Sequence, residues 1–171
     1  HDLFVEELRD IYSAEKQLTR ALPRMAKAVT NPDLKQAFEQ HLEQTRDQIE
    51  RLDQVFEQLD LAKRPKTSEA MRGLLEEVRS TMEEIEGGNL LDIGITIDAR
   101  KVDHYALAGY GNLVSLAKQL GYGEVTSLLE KTLAEQMQSH QRLAEVALRL
   151  TSGPLEGDDT TVYSPRNATS A

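Results

Sequence analysis

The sequence predicts an all-α protein: a ferritin-like four-helix bundle of two antiparallel hairpins joined by a long helical crossover. Three observations predict it. Apolar residues recur at spacings of three and four through four long segments, and no segment alternates with period two. Ala, Leu, Glu and Gln abound, Trp is absent, and aromatic residues make up 5% of the chain, a composition that favours helix. The first and third long segments lead into the next through short turns, which makes antiparallel neighbours, whereas a long stretch separates the second from the third. A chain of 171 residues supports one domain with a real core, read here as residues 1–150, followed by a flexible or strapped tail over 151–171.

Helix one is expected from Asp2 to Val29. Leu8, Ile11, Glu15, Leu18, Leu22, Met25 and Val29 form its apolar stripe, with Leu3, Phe4 and Tyr12 beside it. Glu15 is the exception. A carboxylate in that position must be paired, hydrogen-bonded, protonated or bound to a cation, because burying it bare is very unfavourable. Lys16, Arg20 and Tyr12 are ordinary partners for it. Pro23, near the end of the helix, is expected to kink it.

Asn31-Pro32-Asp33 reads as a helix start: Asn as N-cap, Pro at the first helical position and an acid in the first turn. Helix two then runs to about Leu59 on a stripe of Leu34, Phe38, His41, Thr45, Ile49, Leu52, Phe56 and Leu59, with Gln44 and Gln48 on its flank. A lone His on an apolar face is ordinarily a hydrogen-bonded core residue. Asp60 to Lys66 reads as a loop. Thr67 or Ser68 can cap the crossover helix, which ends before Gly87-Gly88-Asn89 and whose run of Glu76, Glu77, Glu83, Glu84 and Glu86 reads as a solvated face.

Helix three spans about Leu90 to Leu120. Ala99, Val102, Ala106, Gly109 and Leu113 share one face, and small residues there admit a close neighbour. Asp98 and Asp103 flank that face; the ordinary reading leaves both in solvent. Gly121 is placed to take the left-handed conformation past the helix end. Helix four, about Glu124 to Leu150, carries Val125, Leu128, Leu129, Thr132, Gln136, His140, Leu143 and Ala147 on its stripe.

Composition removes whole classes of function. With no Cys, disulfides, thiolate metal sites and thiol catalysis are excluded. A net charge of −9 argues against nucleic acid as a partner. No apolar run reaches the roughly 18 residues of a membrane span and no signal peptide is visible, so neither membrane nor export is expected and the cytoplasm is the default.

The polar interruptions fall at matching heights: Glu15, His41 to Gln48, Asp103, and Gln136 to His140. Four at one level suggest a layer that coordinates something or forms a hydrogen-bonded network. Oxygen and nitrogen donors from facing helices suit iron or manganese.

Several ordered words then carry a resemblance. Leu8-Arg-Asp-Ile-Tyr-Ser-Ala-Glu-Lys-Gln-Leu18, Gln40-His-Leu-Glu-Gln-Thr45 with Ile49-Glu-Arg-Leu52, Lys101-Val-Asp-His-Tyr105 and Ala108-Gly-Tyr-Gly111 resemble the YciE/YciF family of bacterial stress-response proteins, over about residues 2 to 150. The resemblance implies a ferritin-like fold, a homodimer and a two-metal centre of the rubrerythrin kind. Carried over by position, it marks Glu15, His41, Gln44, Asp103, Glu135 and His140 as metal ligands, with iron as the expected ion and manganese or zinc as alternatives. Departures are visible at several of these. Gln44 stands where many members have Glu, and Asp103 and Ala106 replace two Glu. Gln136 and His140 stand where members have Glu and Asp.

A di-iron site in this fold has about four carboxylates and two imidazoles. The remaining donors, with Asp98 and Glu43 as helpers, support one metal more easily than two, and Glu135 and His140, five apart, do not share a face. Two readings stay open: a stress-response metal protein with a weakened centre, or a structural or interaction homodimer that has lost the metal. Ala108, Gly109, Gly111 and Ala117, with Phe4 and Tyr110 outside the narrow stripe, are the surface expected to bury itself in the homodimer.

Overall fold

Two of the long helices begin or end where a residue supplies hydrogen bonds that the helix terminus lacks. The computed structural model describes residues 1–64 and 66–152. They form α1 (Asp2–Ala28), α2 (Pro32–Gln58), α3 (Glu69–Glu84), α4 (Asn89–Gln119) and α5 (Gly123–Ser152), with no strand among the described residues. Asn31 caps α2 as its sequence predicts, its side-chain oxygen accepting from the Asp33 and Leu34 N–H groups at 3.0 and 3.1 Å. Gly121, at φ +74°, ends α4: its N–H donates to the Lys118 carbonyl and that of Tyr122 to the Ala117 carbonyl. The same pattern ends α2 at Asp60, a non-glycine residue held at φ +50°. α1 continues unbroken through Pro23.

The hairpins α1–α2 and α4–α5 pack side by side, so that α2 faces α5 and α1 faces α4. The crossover helix α3 lies over α1 and α4 and buries Met71 and Val78, while Glu76, Glu77, Glu83, Glu84 and Glu86 are exposed, as their run predicts. α1 packs tightly on α4 at Gly109, where an added Cβ would lie 2.1 Å from the Cδ1 of Ile11. Asp92, buried in the first turn of α4, fastens the α1–α2 turn. Its carboxylate accepts from the Thr30 and Asn31 N–H groups and the Thr30 hydroxyl, each at 2.8 Å.

The apolar core is divided. One cluster runs from Ala14 in α1 to Val29 just past its end and includes Leu34, Phe38, Ile95, Val102 and Leu143. The other holds Phe4, Leu8, Ile11, Leu52, Phe56, Tyr110, Leu113 and Leu129. In α2, α4 and α5 the gap between them is filled by residues from His41 to Gln48, Asp103, and Thr132 to His140, and Glu15 enters it from α1 beside Ala14.

The structure corrects several expectations. Asp98 is buried rather than solvated, because Thr81 and Lys101 donate to it at 2.6 and 2.9 Å, whereas Asp103 is buried at the level of the polar layer, where its position places it. Gln48 and Val55 are buried in α2, whereas Ile49 is partly exposed, a drift of the buried face by one position. Phe4 and Tyr110 are already buried within a single chain and leave no surface for self-association. The exposed large apolar residues are instead Leu3, Ile97, Met137 and Leu148. Of the expected tail, Thr151 and Ser152 complete α5, and the remainder lies outside the described residues.

Candidate functional site

The polar layer is built from one or two turns of each long helix, and it has two tiers. In the upper tier Asp103, from α4, faces both histidines. His41 Nδ1 lies 3.9 Å from its Oδ1, and His140 Nδ1 lies 3.8 Å from its Oδ2. These distances are too long for hydrogen bonds. Adjacent ligands of one ion with bonds of about 2.1 Å lie about 3.0–3.4 Å apart, so these side chains would have to draw inward to share one. The His104 ring packs edge-on against His140, with centroids 4.5 Å apart. A small opening of about 20 Å³, room for about one water molecule, reaches His41 and Asp103 between Phe38, Ser139, Arg142 and Leu143.

The lower tier is knit together. Gln136 donates its amide to Gln48 at 2.8 Å and to Glu15 at 3.3 Å. Arg51 grips both oxygens of Glu135 at 2.7 and 2.6 Å and donates to the Thr132 hydroxyl at 2.7 Å. Tyr110 lies fully buried against Glu15, and its hydroxyl holds the Glu15 carboxylate's pKa down. That contact falls short of good hydrogen-bond geometry, and the phenol oxygen has no other protein partner.

Burial governs the electrostatics. It pushes the Glu15 carboxyl up to about 7, against the opposing pull of Tyr110, and the nearby Asp103 charge adds to the rise. Asp103 is likewise pushed up to about 7 by burial, with Arg100 opposing. Desolvation takes His41 down to about 4 and also lowers His140, where His104 and Arg100 add to the effect. Both histidines are therefore neutral at pH 7, the form in which imidazole ligates a metal.

Of the residues marked in the sequence, the structure brings Glu15, His41, Asp103 and His140 into the layer. It does not bring Gln44 or Glu135 to the same centre. Gln44 accepts from Ser139 at 2.6 Å near the surface, and Glu135 turns outward to Arg51. Glu43, exposed and paired with Arg46, and Asp98, held by Thr81 and Lys101, lie elsewhere. Among the described residues, no three His, Asp or Glu side chains converge tightly enough to grip an ion as they stand. Yet Glu15 Oε2, His41 Nε2, Asp103 Oδ2, Gln136 Oε1, His140 Nδ1 and the Tyr110 hydroxyl are all buried without a protein partner of good geometry. These unmet oxygen and nitrogen atoms are of the kind that ligate a divalent ion, and Glu15 and Asp103 are fewer than the carboxylates, about four, of a two-metal centre.

Sequence reasoning counted Gln48 in the layer without giving it a role, and gave Tyr110, Thr132 and Arg51 no place there. Two of them stand seven residues from a marked one, Gln48 after His41 and Tyr110 after Asp103, and that heptad spacing is the signal that would have found them. A second network escaped it entirely: Ser68 and Tyr105 both donate to Asp10, tying the start of α3 to α1 and α4.

A helical bundle of two hairpins, a long crossover and a polar layer across its waist defines a protein of the ferritin-like class. No described helix is long and apolar enough to cross a membrane. The chain belongs to the family described as "Domain of unknown function (DUF892)", which it matches over residues 1–155. It is 45% identical to Protein YciF of Escherichia coli (strain K12) over 148 residues, covering 86% of this chain and 89% of that protein. The crystal structure of the E. coli stress protein YciF superposes with a TM-score of 0.85 at 43% identity, over 88% of this chain and 96% of that one. "YcfI, a putative structural protein from Rhodopseudomonas palustris" gives a TM-score of 0.83 at 42% identity, over 86% and 94%.

Proposed function

We propose that this chain is a stress-response protein whose bundle core holds one divalent metal ion rather than a pair. His41, Asp103 and His140 would hold the ion, with Glu15 closing the layer from α1. One observation carries the reading: six buried polar atoms without a protein partner of good geometry, gathered in the gap between two apolar clusters. Each such atom costs about 1–3 kcal/mol if nothing satisfies it. Iron is the expected ion, and manganese or zinc would accept the same nitrogen and oxygen donors.

When bound, such an ion supplies Lewis-acid or one-electron chemistry. The chain's own residues supply the rest. Neutral His41 and His140 present lone pairs, and Asp103 faces both. Glu15 carries a proton part of the time near pH 7, while the Gln136 amide fixes its other oxygen. Phe38 and Leu143 wall the opening, whose volume of about 20 Å³ holds about one water molecule.

A second reading, a structural homodimer without metal, has its own support. The Gln136 amide joins Glu15 to Gln48, and Arg51 already neutralises Glu135, as a self-sufficient network would require. Self-association would use the exposed Ile97, Met137 and Leu148. Thermal melts of wild type, Glu15→Ala and His140→Ala, each with and without chelator, separate the two readings. On the metal reading chelator lowers the wild-type melting temperature and leaves both variants unmoved. If it leaves wild type unmoved and the variants are destabilised equally in either buffer, the structural reading stands.

A further inference from the structure

We propose that the Arg51 guanidinium is a resident cation that fills the lower tier of the polar layer and so limits the bundle to a single metal ion. This rests on the single-ion reading above and says what sets the number. Arg51 is three residues beyond Gln48 on α2, and its side chain is only 11% exposed. Its fork donates to Thr132 and to both oxygens of Glu135, so three of the donors that the guanidinium offers are committed to two residues of α5. The Gln48 amide, at 3.4 Å, leans on the same carboxylate. From Gln48 the contacts continue through Gln136 to Glu15, so this tier's amides join the fixed positive charge to the buried acid.

The surroundings of the fork differ from the rest of the layer. Glu135, Thr132 and Gln48, the residues linked to the fork or to the carboxylate it holds, each have their partners, and the one carboxylate among them is neutralised. Gln136 Oε1, Glu15 Oε2 and the Tyr110 hydroxyl, outside those contacts, lack a partner of good geometry. Five residues beyond Glu135 on α5, His140 Nδ1 has no hydrogen-bond partner, and neither do His41 Nε2 and Asp103 Oδ2, in the two side chains that complete the upper tier. A second divalent ion in the lower tier would have to take Glu135 from the fork and sit beside a guanidinium, which does not deprotonate in proteins. Lysine could lose its charge on burial; arginine cannot, so the exclusion holds at every physiological pH.

The test uses the full chain as wild type, Arg51→Met, Arg51→Gln and the double variant Arg51→Met/Glu135→Gln. Each is stripped with chelator, saturated with Mn(II), desalted and measured for manganese per chain by mass spectrometry, with circular dichroism confirming helix. Wild type is expected to hold one ion, Arg51→Met two, and the double variant one again. Arg51→Gln keeps a donor toward Glu135 without the charge and is also expected to hold two, so it carries the test if Arg51→Met does not fold. Wild type with two ions, or Arg51 variants that match a one-ion wild type, overturn the inference. If wild type holds none, the single-ion reading fails by itself. A gain of one ion in Arg51→Met, lost again with Glu135→Gln, then still supports the role of Arg51, and no gain overturns both.

Discussion

Replacing Glu15 by Gln should stabilise the metal-free protein at neutral and alkaline pH. The carboxyl has an ordinary value of 4.5 and is pushed up to about 7 by burial, and the rise carries a sign. Between those values the folded state holds a proton that the unfolded state has lost, so stability falls as pH rises from about 4.5 and levels off above 7. The rise of about 2.5 units corresponds to about 3 kcal/mol of penalty at pH 8. Glutamine is nearly isosteric and still accepts from Gln136, so the variant removes the charge and little else. Urea denaturation in chelator should show Glu15→Gln more stable by up to about 3 kcal/mol at pH 8 and equal to wild type near pH 4. His41, taken down to about 4, contributes the opposite slope: stability present above pH 6.5 and lost as pH falls toward 4, in wild type and variant alike. Excess Mn(II) should reverse the order at pH 8 by stabilising wild type alone. A variant less stable than wild type at pH 8 in chelator would refute the reasoning, because Glu15 would then be satisfied as an anion.

Three further outcomes are expected. Asp92→Ala removes a buried carboxylate that receives three hydrogen bonds from the α1–α2 turn, and should cost about 3 kcal/mol in urea denaturation without changing helix content. Gly109→Ala drives a methyl group against Ile11 and should cost about 1–3 kcal/mol by thermal or urea melt, with Ala108→Gly, on the exposed side of the same turn, as the mild control. Light scattering should return a dimer at micromolar concentration that Leu148→Glu or Ile97→Glu weakens. A monomer in wild type would show that these exposed apolar residues are merely surface.

The fold was legible because its rules are local and repeated. The Asn31 cap, the Gly121 turn, the stripes of α1 and α4 and the breaks between helices each follow from residues within a few positions of one another. The level of the layer was legible too, because a polar residue on an apolar face is conspicuous at Glu15, His41 and His140. What the sequence hid was pairing across helices. Nothing near Glu135 announces that Arg51, on another helix, will take its carboxylate, or that Ser139 will take Gln44. Asp98 looked solvated because its burial depends on Thr81 of the crossover helix, which no pattern near Asp98 announces. Phe4 and Tyr110 lay outside a narrow stripe, yet α1 and α4 each face more than one neighbour, so their buried arcs are wider than a single seam.

Metal per chain in untagged protein, expressed on iron-supplemented medium and desalted without chelator, tests the central claim most directly. One equivalent of a divalent metal in wild type, reduced to none in both Asp103→Asn and His140→Ala at unchanged helix content, is the expected result. Wild type free of metal, and unable to retain iron, manganese or zinc on reconstitution, would contradict the account and leave the layer as a hydrogen-bonded network.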